Sequence, residues 1–471
     1  MRPKRAITER IELEISPIMW YNSFTVKEAA GLFKRILSAV TALTMIMGMC
    51  SCSGQTSSGD ISSSAYSHVD IDKSLQLTAN YEFKETESEG QYDEGFVGAV
   101  NGFSVELFKN SVKDDLSKGK NTLISPESVA FALGMAQNGA DGNTLKQMQD
   151  VLYKGVSQET FNKNMNFIMT EIKAQNDKNA KVKIANSVWV KDRNDIVPKE
   201  QFLRDCKELY NADLFKGAFD DKTLGQVNSW VSDKTDGMIP SVIDSFKSND
   251  LMYLINCVAF DAQWQKQYKD SQVKNNQKFT NAKGDEVKCT MLTGTEKCYL
   301  SNERAIGFTK DYAGGRYEFM AVLPNEDISV SDFVSTMTAD EFSKLYKLRS
   351  YDYEVTTKLP QFTFDHELRL KDALQSMGMT EAFSQQNADF TKMFEDTPAY
   401  IAQVFHKTHI ELDAKGTKAA AATAVEAGAK ADFSEPEHKE VILDRPFVFA
   451  IMDSYSTLPV FIGTVCDPSV Q

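Results

Sequence analysis

Apolar residues follow two different spacings along this chain of 471 residues. Over residues 96–180 they recur every three or four positions, the spacing that places them on one face of a helix. The clearest case is the stretch 96–116, whose apolar positions include Val97, Val100, Phe103, Val105, Leu107 and Phe108. This part of the chain is therefore predicted to be mainly helical.

Short apolar runs rich in β-branched and aromatic residues follow, at 184–190, 254–260, 319–323, 441–443 and 447–452. Runs of this length and composition are typical of buried strands. Helices gathered first and strands afterwards predict an α+β fold. Residues 404–412 also read as a strand, which sends His406 and His409 to opposite faces and argues against a shared metal site.

The stretch 414–431 consists mostly of small residues, and its charges alternate with uncharged positions. The small, uncharged set comprises Thr417, Ala419, Ala421, Thr423 and Val425. The other set carries the charges of Lys418 and Glu426. Because a strand sends alternate side chains to opposite faces, one face of this segment suits a core and the other suits water. We interpret it as a loop that can become a strand.

Composition limits the choice of partners. The formal net charge is −14, and a phosphate-binding surface needs clustered Lys and Arg, so nucleic acid is not an expected partner. A chain of this length, 42% hydrophobic, suffices for one large domain or two to three small ones.

The N-terminus has the pattern of a targeting segment. Basic residues precede an apolar run over residues 36–49, which is shorter than the roughly 20 residues that span a bilayer. The run leads to Ser51 and Cys52, similar to a bacterial lipoprotein signal, in which such a cysteine is lipidated and becomes the new N-terminus. We expect residues 1–51 to be an N-terminal extension with a signal peptide, the alternative being an ordinary secretory signal.

Residues 52–95 are rich in Ser, Gly, Asp and Glu and poor in large apolar residues. Such a composition predicts a flexible tether. The lipidated cysteine and the tether together predict an exported lipoprotein on the outer membrane or cell surface of a bacterium, with membrane contact only through the lipid. A freely secreted protein is the alternative.

Catalytic signatures are lacking. The sequence has no G-x-S-x-G, no H-E-x-x-H, no P-loop and no Gly-rich dinucleotide turn. The five cysteines beyond the signal have no zinc spacing, and their odd number argues against a complete disulfide framework. We therefore expect neither an enzyme nor a metal site. No cofactor is predicted, since there is no basic cluster of the kind that binds sulfated glycans.

Several phrases, in order along the chain, resemble the serpin family. The first is Asn-Thr-Leu-Ile-Ser-Pro-Glu-Ser over residues 121–128, which is similar to the start of an early buried helix. The others lie at 184–190, 227–239, 254–264, 322–325, 359–362, 445–449 and 461–463. The resemblance implies a serpin-like single large domain over residues 96–471. It also implies about nine helices, three β-sheets and an exposed reactive-centre loop at about 414–440.

The resemblance also implies roles for buried polar residues. Ser125, Ser128, Asn256 and His406 match a cluster at the place where the main sheet parts, where they would hold two central strands together. Trp264 matches a tryptophan at the top of that sheet, where the loop first enters. The alternatives are a polar cluster that merely packs and an ordinary core aromatic residue.

The resemblance further implies that Gly416 is the hinge glycine of the loop, because ten residues separate it from His406, as in the family. Glycine there is expected to permit a backbone rotation. The implied hinge comprises Gly416, Thr417, Lys418, Ala419, Ala420, Ala421, Ala422 and Thr423. Lys418 and Ala414 replace acidic residues that are usual in the family. An exposed ion pair lost at Ala414 is worth under about 1 kcal/mol.

The activity implied is inhibition of serine endopeptidases: suicide-substrate cleavage, covalent trapping of the acyl-enzyme and insertion of the loop into the central sheet. The family's usual spacing places the reactive bond between Lys430 and Ala431, which suits a trypsin-like protease. Because the loop looks about five residues longer than in many relatives, the bond could instead follow Phe433 or Ser434. Cleavage at the small residues Ala427 or Ala429 would suit an elastase-like protease.

A second hypothesis is a non-inhibitory, serpin-like surface lipoprotein that binds or chaperones a partner, and a weaker third is a carrier of peptides or small ligands. Serine proteases are the expected partners, whether cysteine proteases are also trapped is left open, and a monomer is expected. A covalent complex with trypsin would separate an inhibitor from a binding protein.

Overall fold

The computed structural model describes residues 68–86, 92–175, 180–247, 250–395, 398–417 and 436–470. These residues contain nine α-helices: α1 Glu94–Ser117, α2 Pro126–Gln137, α3 Gly142–Leu152, α4 Gln158–Gln175, α5 Glu200–Tyr210, α6 Asp221–Lys234, α7 Val330–Thr336, α8 Ala339–Lys347 and α9 Lys371–Ser376. The predicted helix at 96–116 lies within α1. The Asp93 side chain caps α1 by accepting the Phe96 N–H at 2.7 Å.

The strands in the described residues are β1 Thr122–Ile124, β2 Ala180–Lys191, β3 Asp213–Gly217, β4 Met252–Gln263, β5 Val273–Thr280, β6 Glu286–Glu296, β7 Cys298–Ser301, β8 Ala305–Asp311, β9 Tyr317–Pro324, β10 Tyr353–Pro360, β11 Phe362–Arg369, β12 Val404–Leu412, β13 Gly416–Thr417, β14 Glu437–Ile442, β15 Phe447–Asp453 and β16 Pro459–Val465. They form three sheets. Helices dominate the first part and strands the second, so the predicted α+β fold is confirmed.

The main sheet has the strand order β11-β12-β13-β4-β2-β3. A second sheet has the order β1-β16-β15-β9-β8-β7, and a third has the order β14-β10-β6-β5. Each of the five predicted apolar runs overlaps a strand, and 404–412 coincides with β12. The reactive-centre loop was predicted to extend to about residue 440. It ends earlier, because β14 begins at Glu437 and pairs in parallel with β10.

Helix α2 is buried along its whole length and lies against β4 of the main sheet and β16 of the second sheet. Its sequence is almost entirely small or apolar, so it can be covered on all sides. Apolar side chains on the opposite face of the main sheet form a smaller cluster with α6, which includes Trp189, Trp230 and Tyr253. The main sheet is therefore covered on both faces.

Residues 68–86 pack against the domain, so the prediction of a flexible tether over 52–95 is wrong for this segment. The Leu77 N–H donates to the Leu214 carbonyl of β3 at 2.7 Å, and Thr78 is fully buried. An edge strand offers backbone donors and acceptors whatever the side chains are. A polar composition therefore did not keep this segment off the sheet edge. Residues 52–67 lie outside the described residues.

Helix α6 ends at Lys234, within the stretch 227–239 that resembles the serpin family. Gly237 has a φ of +76° and belongs to the following turn. Among the residues described above, no helix is long and apolar enough to cross a membrane.

Candidate functional site

Strands β4 and β12 pair with each other over only part of their length. They pair in parallel from Leu254 with Val404 to Cys257 with Lys407. Further along, β13 lies between them and pairs antiparallel with both. Within the described part of the chain, residues 258–261 and 408–411 are not paired with each other. We call the space between these two segments the slot.

Two of the predicted hinge residues, Gly416 and Thr417, lie at the mouth of the slot. Gly416 pairs with Gln263, and Thr417 pairs with Ala262 on one side and Leu412 on the other. Thr417 is only 2% exposed. Two residues of the predicted loop thus already occupy the position of an additional strand.

Glycine is required at position 416 by a close contact between backbones. A Cβ atom there would lie 2.1 Å from the Ala262 carbonyl oxygen and 2.7 Å from the Gln263 Cα. Gly416 is not among the residues with positive φ. The glycine was predicted for backbone rotation; here it permits the hinge to approach β4.

Trp264 holds the segment that leads into the hinge. Its indole N–H donates to the Asp413 carbonyl at 2.9 Å, and its backbone N–H donates to the Lys415 carbonyl at 2.8 Å. Its ring stacks on Tyr312 with a centroid distance of 4.4 Å. Trp264 therefore binds the segment just before the hinge in addition to packing in the core.

A buried ion pair supports this tryptophan. Lys310 lies 2.8 Å from a Glu296 carboxylate oxygen, and its ammonium faces the rings of Tyr268 and Trp264 at 4.5 and 5.5 Å. Burial raises the pKa of Glu296, and Lys310 counters that rise. Nothing in the sequence indicated this pair, because its members lie on different strands.

The four residues predicted to form a polar cluster lie together at the closed end of the slot. The Ser125 backbone N–H donates to His406 Nε2 at 3.0 Å. The Ser128 hydroxyl donates to the Asn256 side chain, which donates to Asn186 Oδ1 at 2.7 Å. Strand register places Asn186, Asn256 and His406 side by side on β2, β4 and β12. Asn186 was not singled out, although a polar residue in an apolar strand was a signal.

His406 is fully enclosed, and burial lowers its pKa to about 3, so the ring is neutral. Since Nε2 accepts from Ser125, the proton resides on Nδ1, which has no hydrogen-bond partner among the described residues. The Asn186 amide nitrogen is also without a partner there. Unpaired buried donors make this junction less stable than a continuous apolar sheet would be.

Glu127, next to Ser128 on α2, is also a buried titratable residue. The pKa of Glu127 is raised to about 8, chiefly by burial and also by the nearby Asp453 carboxylate, while the Arg316 guanidinium opposes the rise. Arg316 itself is buried and lies 2.8 Å from an Asp453 carboxylate oxygen. The sequence phrase drew attention to the serines on either side and not to this carboxyl group.

We expect Glu127→Gln to stabilise the protein at alkaline pH. The folded chain keeps the Glu127 proton up to about pH 8, whereas the unfolded chain loses it near the ordinary value of 4.5. Stability contributed by this group therefore falls as pH rises across that window. The gain in unfolding free energy should be small at pH 5 and on the order of 3 kcal/mol at pH 8.

Urea unfolding of both proteins at pH 5 and pH 8 measures this difference. His406 has the opposite pH dependence, but it is present in both proteins and cancels in the comparison. Glu159→Gln, which removes an exposed carboxylate of α4, is the matched control and should change neither value. A gain that is equal at both pH values would show that the Glu127 carboxyl is not protonated in the folded chain.

Several predicted site residues fall outside the described residues, which end at Thr417 and resume at 436. These are Cys52, Lys418, Ala419, Ala420, Ala421, Ala422, Thr423, Lys430 and Ala431. Their assignments stay predictions. In the described ranges, no group of His, Cys, Asp and Glu has the arrangement of a metal site.

The main sheet thus has an unpaired interval between β4 and β12, with β13 at its mouth. A family model described as Serpin (serine protease inhibitor) matches residues 98–468, most of the chain. This chain belongs to the serpin family. Members of the family are generally inhibitors of serine proteases rather than enzymes.

Individual relatives agree with this assignment. An uncharacterised serpin-like protein of Thermococcus kodakarensis is 26% identical over 439 residues, covering 92% of this chain and 99% of that protein. The crystal structure of tengpin, a thermophilic serpin, in its native state is 40% identical, covers 83% of this chain and 99% of its own, and gives a TM-score of 0.76. The crystal structure of tengpin in its latent state is 38% identical, covers 81% of this chain and 99% of its own, and gives a TM-score of 0.69.

Proposed function

We propose that this serpin inhibits trypsin-like serine proteases by covalent trapping, with residues 418–427 entering the main sheet between β4 and β12 after cleavage. The observation that carries the proposal is β13, which already occupies the first position of the additional strand. Loop insertion that releases stored strain is an established behaviour of serpins.

The register of β13 predicts where later residues would lie. Thr417 pairs with Ala262 on β4 and Leu412 on β12, and both pairings are antiparallel. Thr423, six residues later, would therefore lie opposite the residues six positions earlier on those strands, Asn256 and His406. A threonine hydroxyl placed there can accept or donate a hydrogen bond between the two parted strands. It would offer an acceptor to the unpaired His406 N–H.

The length of β4 also fits. Ten residues beyond Thr417 the new strand would reach Ala427, and ten residues before Ala262 β4 begins at Met252. The strand would thus pair along the whole of β4. Lys430 lies 13 residues beyond Thr417, roughly 40 Å of extended chain, so an attached protease would be carried to the far end of the sheet.

The small face of the segment matches the side of the slot that faces the core. Thr417 lies on that side, so Ala419, Ala421 and Val425 would follow it. They would face β4 residues that are almost fully buried, namely Leu254, Val258 and Phe260. Alanines at these positions allow a strand to slide between two others without large side chains clashing.

The β13 register also predicts the neighbours of Lys418, the hinge lysine that replaces the acidic residue usual in the family. Lys418 would fall opposite Asp261 on β4 and Glu411 on β12, one residue beyond the pairs that Thr417 makes. Both carboxylates are half-buried on the outer side of the sheet. Opposite charges on neighbouring strands attract, so an acidic residue at 418 would suit this sheet less well than lysine does.

The chemical step is acyl transfer. The protease serine hydroxyl attacks the Lys430 carbonyl, the bond to Ala431 breaks, and the new amine of Ala431 leaves with a proton. An ester then joins the protease to Lys430. Water would ordinarily hydrolyse this ester, but insertion of the strand pulls the protease against the body and distorts its active site. The ester therefore persists.

Mixing the protein with trypsin tests the proposal. We expect a complex that survives boiling in detergent, because the ester is a covalent bond. Trypsin with its catalytic serine chemically blocked is the control and should form none. Recovery of intact trypsin together with a nicked chain, or with an uncleaved chain, would contradict the proposal and favour a binding or chaperone role.

We also propose that the chain is exported and attached through lipidated Cys52. The support is the sequence pattern at residues 36–52. Globomycin-sensitive processing and labelling with a fatty-acid analogue test it, with Cys52→Ser as the matched variant. Labelling that persists in this variant would contradict the assignment.

A further inference from the structure

We propose that Tyr312 is a positioning residue that keeps Thr417 seated in the main sheet before cleavage. It thereby sets the fraction of cleaved molecules that trap their protease instead of releasing it. The proposal rests on the trapping function proposed above and adds a residue to it. It is carried by one contact between side chains that are 105 residues apart in the sequence.

The contact joins two buried hydroxyl groups. The Tyr312 and Thr417 hydroxyl oxygens are 2.7 Å apart, and Tyr312 is fully enclosed. Among the described residues, neither hydroxyl has another hydrogen-bond partner. Each group therefore depends on the other to avoid being buried without a partner.

Tyr312 is held firmly from the other side. Its ring lies between Trp264, at 4.4 Å, and Phe260, at 4.9 Å. Its backbone N–H donates to the Tyr317 carbonyl at 3.0 Å. Because the phenol is fixed in this way, it cannot follow the hinge outwards. When Thr417 leaves the sheet, the hydrogen bond is lost.

The pairing of Gly416 and Thr417 in the main sheet matters because two processes compete after cleavage. Either the strand inserts and the ester persists, or water hydrolyses the ester and the protease is released. The first residues of a new strand lose conformational freedom before they gain much pairing. A hinge that is already paired at Gly416 and Thr417 has passed this stage. Insertion then starts without delay.

Two substitutions of nearly unchanged shape test the contact. Tyr312→Phe leaves the Thr417 hydroxyl without a partner, and Thr417→Val leaves the Tyr312 hydroxyl without one. Combining them removes both groups, which is far less costly than removing one. We expect each single variant to consume at least five-fold more inhibitor per trypsin molecule trapped. The double variant should stay within two-fold of the unsubstituted chain.

Tyr346→Phe is the matched control. It also removes a buried tyrosine hydroxyl, one that donates at 2.9 Å to Glu318 on β9 of the second sheet and not to a hinge residue. It should lower stability without changing the stoichiometry of trapping. A readout that follows stability alone would move in this control as well.

Hydrogen exchange of a peptide containing Gly416 and Thr417 provides a readout without protease. We expect exchange at least ten-fold faster in each single variant and unchanged in the double variant and in Tyr346→Phe. Unchanged exchange in the single variants would overturn the claim that Tyr312 keeps Thr417 in the main sheet. Faster exchange with an unchanged trapping stoichiometry would overturn its role in trapping. An unsubstituted chain that traps no trypsin would instead overturn the proposed function.

Discussion

Thr417→Arg is expected to abolish trapping and to convert the inhibitor into an ordinary substrate of trypsin. Thr417 is 2% exposed and lies between Leu412 and Ala262, so an arginine there has no space and no opposite charge. Burying an unpaired guanidinium costs several kcal/mol, roughly 3 to 5. The hinge would therefore leave the sheet, and strand insertion could not begin at this position.

Two measurements on the same variant check this result. Gel electrophoresis after boiling should show a nicked chain and free trypsin, with no covalent complex. The nicked variant should melt near the temperature of its uncleaved form, whereas the nicked unsubstituted chain should melt at a much higher temperature. Thr417→Ser, which keeps the hydroxyl, is the control. A variant that traps trypsin as well as the unsubstituted chain would show that the hinge lies elsewhere.

Lys430→Ala is expected to slow complex formation with trypsin by at least 100-fold. The specificity pocket of trypsin carries a carboxylate that pairs with a basic side chain before the cleaved bond. Without the lysine that pairing is lost, while the hinge and the slot are unchanged. Lys430→Arg should retain most of the rate. Second-order rate constants for the three proteins, measured with excess inhibitor, give the comparison.

Sequencing the released C-terminal fragment locates the bond independently. A fragment that begins at Ala431 supports Lys430, whereas a fragment that begins after Phe433 or Ser434 places the bond later in the long loop. Lys415→Ala is the matched control, since Lys415 is exposed and precedes the hinge. An equal loss of rate in this control would indicate a general effect of charge.

Much of the fold follows from the sequence because single strands and helices carry their own periodic signals. The alternation along 404–412 gave β12 and the opposite faces of its two histidines. The serine-proline phrase located α2 and, with it, Ser125 and Ser128. These features depend on neighbours along the chain, which is where a pattern of apolar and polar residues carries information.

The rest depends on contacts between residues far apart in the sequence. The hydroxyl pair of Tyr312 and Thr417 is one example, and no periodicity indicates it. The proximity of Glu127 to the ion pair of Arg316 and Asp453 is another, because three separate elements must fold before these charges meet. The reason for Gly416 also became visible only once β4 was placed beside it.

The five cysteines in the described residues are all unpaired, and Cys289 alone is half-buried while the others are buried. Burial raises the pKa of Cys289 and Cys466 to about 11 and that of Cys257 to about 12. The thiolate is the form that reacts with alkylating dyes. A chain that starts after Cys52 should therefore accept a maleimide fluorophore selectively at one cysteine introduced between 418 and 435. The native cysteines could then stay in place. Energy transfer to that fluorophore would time the insertion of the segment into the sheet.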